Sequence, residues 1–103
     1  MIMTVVLLGR EPKVVKSVGS ELRARGFSVV ECTGDDEAVA AVDSGDATAI
    51  VIGGGVEPAS RERVTSAARA HGVAVVAGRR GDGPLATYVD EVLVPELREV
   101  SAA

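Results

Sequence analysis

Apolar, β-branched runs alternate with helix-patterned segments along this whole chain, and that alternation limits its fold more than any other feature. Thr4 to Leu8 is β-rich, and Gly9 ends it. Pro12 suits the first turn of a helix, where a missing N–H has no partner to lose. Val14, Val15, Val18 and Leu22 then recur on one helical face, and Gly26 is a natural stop. Phe27 to Glu31 reads as a second strand. Gly34, Asp35 and Asp36 turn the chain, and Asp35 or Asp36 can cap a short helix holding Ala38, Val39 and Val42. Gly45 ends it, Ala47 to Ile52 is a third strand, and Gly53-Gly54-Gly55 follows.

Pro58 and Ser60 open a third helix with Val64, Ala67, Ala68 and His71 at helical spacing. Gly72 stops it, and Val73 to Ala77 is a fourth strand. Arg79 to Gly83 is a polar, Gly-rich loop, and Pro84 to Asp90 has the makings of a short helix. Val92 to Val94 reads as a brief fifth strand, Glu96 to Val100 as the start of a last helix, and Ser101 to Ala103 as a frayed tail.

Such alternation predicts an α/β three-layer sandwich around a parallel five-stranded sheet. Right-handed crossovers place helices on both faces. The expected strand order is 2-1-3-4-5, the flavodoxin-like arrangement. At 103 residues the chain is one small domain, 1–103. Its only aromatic residues are Phe27 and Tyr88, so the core must be aliphatic, as in buried parallel sheets.

Charge and composition exclude several classes. A net charge of −4 argues against bulk affinity for nucleic acid or anionic membrane. Two aromatics supply no stacking platform for single strands. Cys32 is the single cysteine, so neither an internal disulfide nor a cysteine zinc site is available. No apolar run nears the roughly 20 residues of a membrane span. No leader pattern is evident, and a cytoplasmic location is the default expectation.

Three stretches, Leu7 to Pro12, Leu22 to Val42 and Asp90 to Pro95, resemble the receiver domains of two-component response regulators. Leu7-Leu8-Gly9-Arg10-Glu11-Pro12 is similar to the family pattern of two apolar residues, two aspartates, Glu and Pro. Leu22 to Val42 resembles the family's helix end, Gly, aromatic, Val-rich strand, acidic turn and Ala-rich helix. Asp90-Glu91-Val92-Leu93-Val94-Pro95 looks like the fifth strand with its terminal proline. Together these follow the whole chain, and their order carries most of the weight.

The resemblance implies a chemistry that these residues lack. Receivers phosphorylate an aspartate after strand three, and hold Mg²⁺ with an acidic pair after strand one. They also use a hydroxyl after strand four and a lysine after strand five to neutralise the transferring phosphoryl. Aligned by strand ends, those positions hold Gly53, Gly9 and Arg10, Ala77, and Val94. Glu11 alone is a poor Mg²⁺ site beside Arg10. The resemblance therefore implies an atypical receiver without phosphorylation, without a metal or other cofactor, and without enzyme activity.

Gly53-Gly54-Gly55 falls where open α/β sheets bind ligands, beyond the carboxyl strand ends. Arg10 lies across the switch point from them, with Arg79 and Arg80 in the next loop. One reading is an anion site made of Gly9, Arg10, Gly53, Gly54, Gly55 and Arg79. The other, favoured, is a tight turn with solvated arginines. A dinucleotide loop is disfavoured, because Gly9 to Gly19 has no G-x-G-x-x-G.

His71 precedes Gly72 at a helix end, where a cation complements the helix dipole, and a structural role is expected. Cys32 is expected to be a partly buried filler. Ser60, Arg61, Glu62, Arg63 and Arg69 give the third helix a basic side, and Asp35, Asp36, Glu37, Asp43 and Asp46 make an acidic side around the second. These are either solvated faces or complementary surfaces for partners or self-association. Ser44, Ser60, Thr65 and Ser66 have no triad order or nucleophile elbow around them.

The expected function is a non-catalytic regulatory or protein-interaction module with an unidentified protein partner. The alternative is a module binding a small anion or nucleotide over Gly53 to Gly55. A third reading is a dimer-forming scaffold paired along the fourth-to-fifth edge, which contains Tyr88, Leu93 and Leu97.

Overall fold

A computed structural model describes residues 3–78 and 84–102. Strand β1 (Thr4–Leu8) leads into helix α1 (Pro12–Ala24), followed by β2 (Ser28–Cys32), α2 (Asp35–Asp43), β3 (Ala49–Ile52), α3 (Pro58–Ala70) and β4 (Ala74–Ala77). One helical stretch then runs through α4 (Leu85–Tyr88), a π-helical turn (Val89–Leu93) and α5 (Val94–Ala102).

The four described strands form one parallel sheet in the order β2-β1-β3-β4. Two layers of helix cover it. Val5, Leu7, Val51 and Val76 pack on one side against α1, the π turn and α5. Val6, Leu8, Ile50 and Ile52 pack on the other side against α2 and α3. Alternation along each strand thus feeds two separate aliphatic cores, as a sheet covered on both faces requires.

The expected fifth strand is absent from the described residues. Val92 to Val94 lies in the π turn and the start of α5, with Leu93 and Leu97 fully buried against the sheet. Val89, Leu93 and Leu97 recur every four residues, a helical stripe that turns one face of this segment into the core. Two further expectations fall with that strand. The third resembling stretch is helical, and no fourth-to-fifth edge presents Leu93 and Leu97 to a second copy.

Helix limits follow local chemistry. Pro12 and Pro58 open α1 and α3, each preceded by a glutamate, Glu11 or Glu57, at the N-cap. Gly34 is the N-cap of α2, while Asp35, Asp36 and Glu37 fill its first turn and favour its positive end. Gly26 and Gly72 follow α1 and α3 in the left-handed region, at φ of 91° and 69°, where a Cβ is disfavoured.

Candidate functional site

The carboxyl ends of β1 and β3 meet where successive connections leave the sheet in opposite directions, so the loops after them form a crevice. Each of these strands ends on glycine. Gly9 N donates to Cys32 O at 3.1 Å, and Gly53 N donates to Leu8 O at 2.8 Å. Both amides extend the ladder by one step, so neither is aimed at a ligand. A Cβ on Gly9 would stand 2.8 Å from Val15 Cγ2, and one on Gly53 would stand 3.2 Å from Leu8 O. A side chain at Gly9 collides with Val15, and one at Gly53 requires the Leu8 carbonyl to give by a few tenths of an ångström.

The remaining loop is a built turn. Val56 N donates to Gly53 O at 3.2 Å. Arg61, in the first turns of α3, donates from Nη2 to Gly53 O at 2.6 Å and from Nε to Val56 O at 3.1 Å. Gly54 and Gly55 are exposed at its tip, and a Cβ on Gly55 would meet nothing within 4 Å. The glycine loop and the start of α1 border a cleft of about 340 Å³, walled by Val14, Val15, Gly9 and Gly53 to Gly55 with Arg10 and Glu11 at its rim.

Arg10 turns its guanidinium away from that cleft, into a network among the starts of α2 and α3. Its Nε donates to Glu57 Oε1 at 3.1 Å, and its Nη1 donates to Thr33 O at 2.8 Å. Its Nη2 lies 2.7 Å from Asp35 Oδ1, 3.0 Å from Glu57 Oε2 and 3.0 Å from Ser60 Oγ. Ser60 Oγ in turn donates to Asp35 Oδ2 at 2.6 Å. One guanidinium therefore joins the chain after β1, the turn after β2 and the N-terminus of α3, and the planar fork suits this bridging.

Charge states follow from these contacts. The hydrogen bonds to Glu57 and Asp35 raise the Arg10 pKa. The Ser60 hydroxyl, and then Arg10, hold Asp35 below the ordinary carboxylate range. Arg10 does the same for Glu57. Cys32 lies beneath this end of the sheet, and burial together with the nearby Glu37 charge pushes its thiol up to about 11. Among the described residues, no group of three or more His, Cys, Asp and Glu is arranged to hold a metal ion.

Of the six expected anion-site residues, Gly9, Gly53, Gly54 and Gly55 do converge on one cleft. Arg10 stands at its edge with every guanidinium nitrogen already bonded. Arg79 lies outside the described residues. The acidic and basic helix faces meet in part, while Asp36, Glu37, Asp46, Glu62 and Arg69 stay exposed. Where the faces meet, Arg63 Nη2 lies 2.7 Å from Asp36 Oδ1 and His71 Nε2 2.8 Å from Asp43 Oδ1.

The structural roles of Asp35, Glu57, Ser60 and Arg61 were not legible one by one in the sequence. The available signal was the pair Glu57-Pro58, which sets Ser60 and Arg61 in the first turns of α3.

No family model and no curated protein matches the chain. Among solved structures, a de novo designed Rossmann fold protein is similar, with a TM-score of 0.58 at 13% identity over 88% of this chain and 96% of that one. At that identity the likeness concerns the fold alone, an α/β Rossmann-like arrangement with a parallel sheet.

Proposed function

We propose that this chain is a non-catalytic, phosphorylation-independent receiver-like module that regulates by binding another protein. One observation carries the reading. Where a receiver would place an acceptor aspartate and a metal-binding pair, this fold has Gly53, Gly9 and Arg10. The Arg10 guanidinium sits between Asp35 and Glu57, holding in one arrangement the loops that a bound phosphoryl and cation would otherwise move. A permanent cation bridging two carboxylates is a fixed joint rather than a switch.

The test is incubation with a small phosphodonor and Mg²⁺, followed by intact mass and a melting curve. The reading expects an unchanged mass and a melting temperature independent of Mg²⁺. A gain of one phosphoryl group that requires Mg²⁺ overturns it.

The anion- or nucleotide-binding alternative keeps the exposed Gly54 and Gly55 backbone beside the cleft but loses Arg10 to its carboxylates. It expects phosphate or a nucleotide to raise the melting temperature by mass action on the native state. A flat panel of anions removes it. Location enters only through one fact: no described helix is long and apolar enough to cross a membrane.

A further inference from the structure

The sheet has two outer edges, and they are treated differently. On β2, Ser28 N donates to Met3 O and Cys32 O accepts from Gly9 N, so Ser28, Val30 and Cys32 bond toward β1. Val29 and Glu31 therefore turn their peptide groups outward. That edge is closed by charge. Arg23 Nη2 donates to Val29 O at 3.0 Å, and Arg23 Nη1 pairs with Glu31. A bonded carbonyl and a charged pair are standard protection against strand addition.

Among the described residues, no side chain closes the β4 edge in the way Arg23 closes that of β2. Ala74 N donates to Thr48 O and Gly78 N donates to Ile52 O, so Ala74, Val76 and Gly78 bond toward β3. Val75 and Ala77 turn both N–H and C=O outward. No other strand pairs with β4 among the described residues. The segment Val73 to Gly78 contains no charge and no proline. Ala77 is exposed, Val75 is half-buried, and Val89, Leu93 and Leu97 of the helical stretch pack in the core on one sheet face together with Val76.

We propose that the β4 edge pairs with β4 of a second copy of this chain, in antiparallel register about a two-fold axis through Val76. The pattern is self-complementary. Val75 falls opposite Ala77 of the second copy, and Ala77 opposite its Val75. Each facing pair exchanges both backbone bonds, giving about four new hydrogen bonds. Their side chains are small and uncharged, so nothing repels across the axis. The two sheets become one continuous sheet with β2 at both ends, and both of those ends are already blocked by Arg23. A foreign strand would meet the same backbone, but the uncharged edge offers no side-chain feature to select it. The inference does not depend on the receiver-like reading, since it rests on the sheet edge alone.

A pair of short strands buries less than the roughly 1,200 Å² of a stable interface, so the dimer is weak and concentration-dependent. The first experiment is sedimentation equilibrium of the full chain and of Ala77→Pro, from low to high micromolar concentration. Ala77 N–H faces away from β3, so proline there removes an outward donor and no ladder bond. The parent is expected to rise from one toward two chains with concentration, while Ala77→Pro stays at one. Amide exchange on the parent provides a second readout that needs no variant. Val75 and Ala77 are expected to gain protection as concentration rises, with Ala74 and Val76 protected throughout. A mass of one chain at every concentration overturns the proposal. So does a dimer that persists in Ala77→Pro, or exchange at Val75 and Ala77 that ignores concentration.

Discussion

Arg10 and Asp35 meet at 2.7 Å across 25 positions of sequence, and that contact ties the chain after β1 to the start of α2. Glu57, 47 positions from Arg10, completes it from the other side. Three connections are thereby tied to one side chain.

Replacing Arg10 by Gln should lower the melting temperature and change its dependence on pH. Asp35 and Glu57 have folded pKa values below their ordinary 3.8 and 4.5. Depressed carboxylate values contribute stability that is present above the unfolded pKa and lost as pH falls through the folded one. The parent should therefore melt steadily from neutral pH down to about 5 and lose stability below about 4. Arg10→Gln should start a few degrees lower and show a shallower acid fall. Raising salt should narrow the difference, because the network is partly exposed. Melting curves across pH and salt decide this, and identical acid slopes would count against the network.

The three consecutive glycines should respond differently to alanine. None has a positive φ. Gly55→Ala meets open space and should be neutral or stabilising by about 0.4–1 kcal/mol, through a less flexible unfolded chain. Gly53→Ala presses on the Leu8 carbonyl in the ladder and should cost about 1–3 kcal/mol. Denaturant melts of the two variants give the comparison. Equal effects would count against the close approach of Gly53 to the Leu8 carbonyl.

Leu97→Ala should destabilise by about 2–5 kcal/mol, since Leu97 is fully buried in the core beneath α5. A frayed C-terminal segment would give a change near zero, so one urea titration tests whether the helix belongs to the core.

Native Cys32 should be silent to a thiol reagent at mildly alkaline pH. It is 2% exposed and its thiol is pushed up to about 11, first by burial and then by Glu37. Reaction should appear in step with unfolding when denaturant is added. Rapid labelling of the folded protein would contradict that burial.

Much of the fold was legible because each element carried its own punctuation. Pro12 and Pro58 open helices, Gly26, Gly45 and Gly72 close them, and the Val-rich runs between are strands. Val92 to Val94 failed because a short apolar run has no period of its own. Its helical stripe shows only when Val89 and Leu97 are counted with Leu93. The candidate site was half legible. The cluster of glycines after β1 and β3 could be read from strand ends, whereas the direction of the Arg10 side chain could not. Nothing local distinguishes a guanidinium facing solvent from one facing carboxylates 25 and 47 positions away.

The sequence by itself determined the order of elements as far as β4 and the aliphatic core. These are local or compositional properties, set by φ restrictions, periodicity and residue type. The tertiary structure decided that Val89 to Leu97 covers the sheet instead of joining it, that the Arg10 guanidinium bonds Asp35 and Glu57, and that β4 is an outer strand among the described residues. Each of these depends on which distant groups the sheet order β2-β1-β3-β4 brings together, and long-range pairing is not encoded in any short stretch of chain.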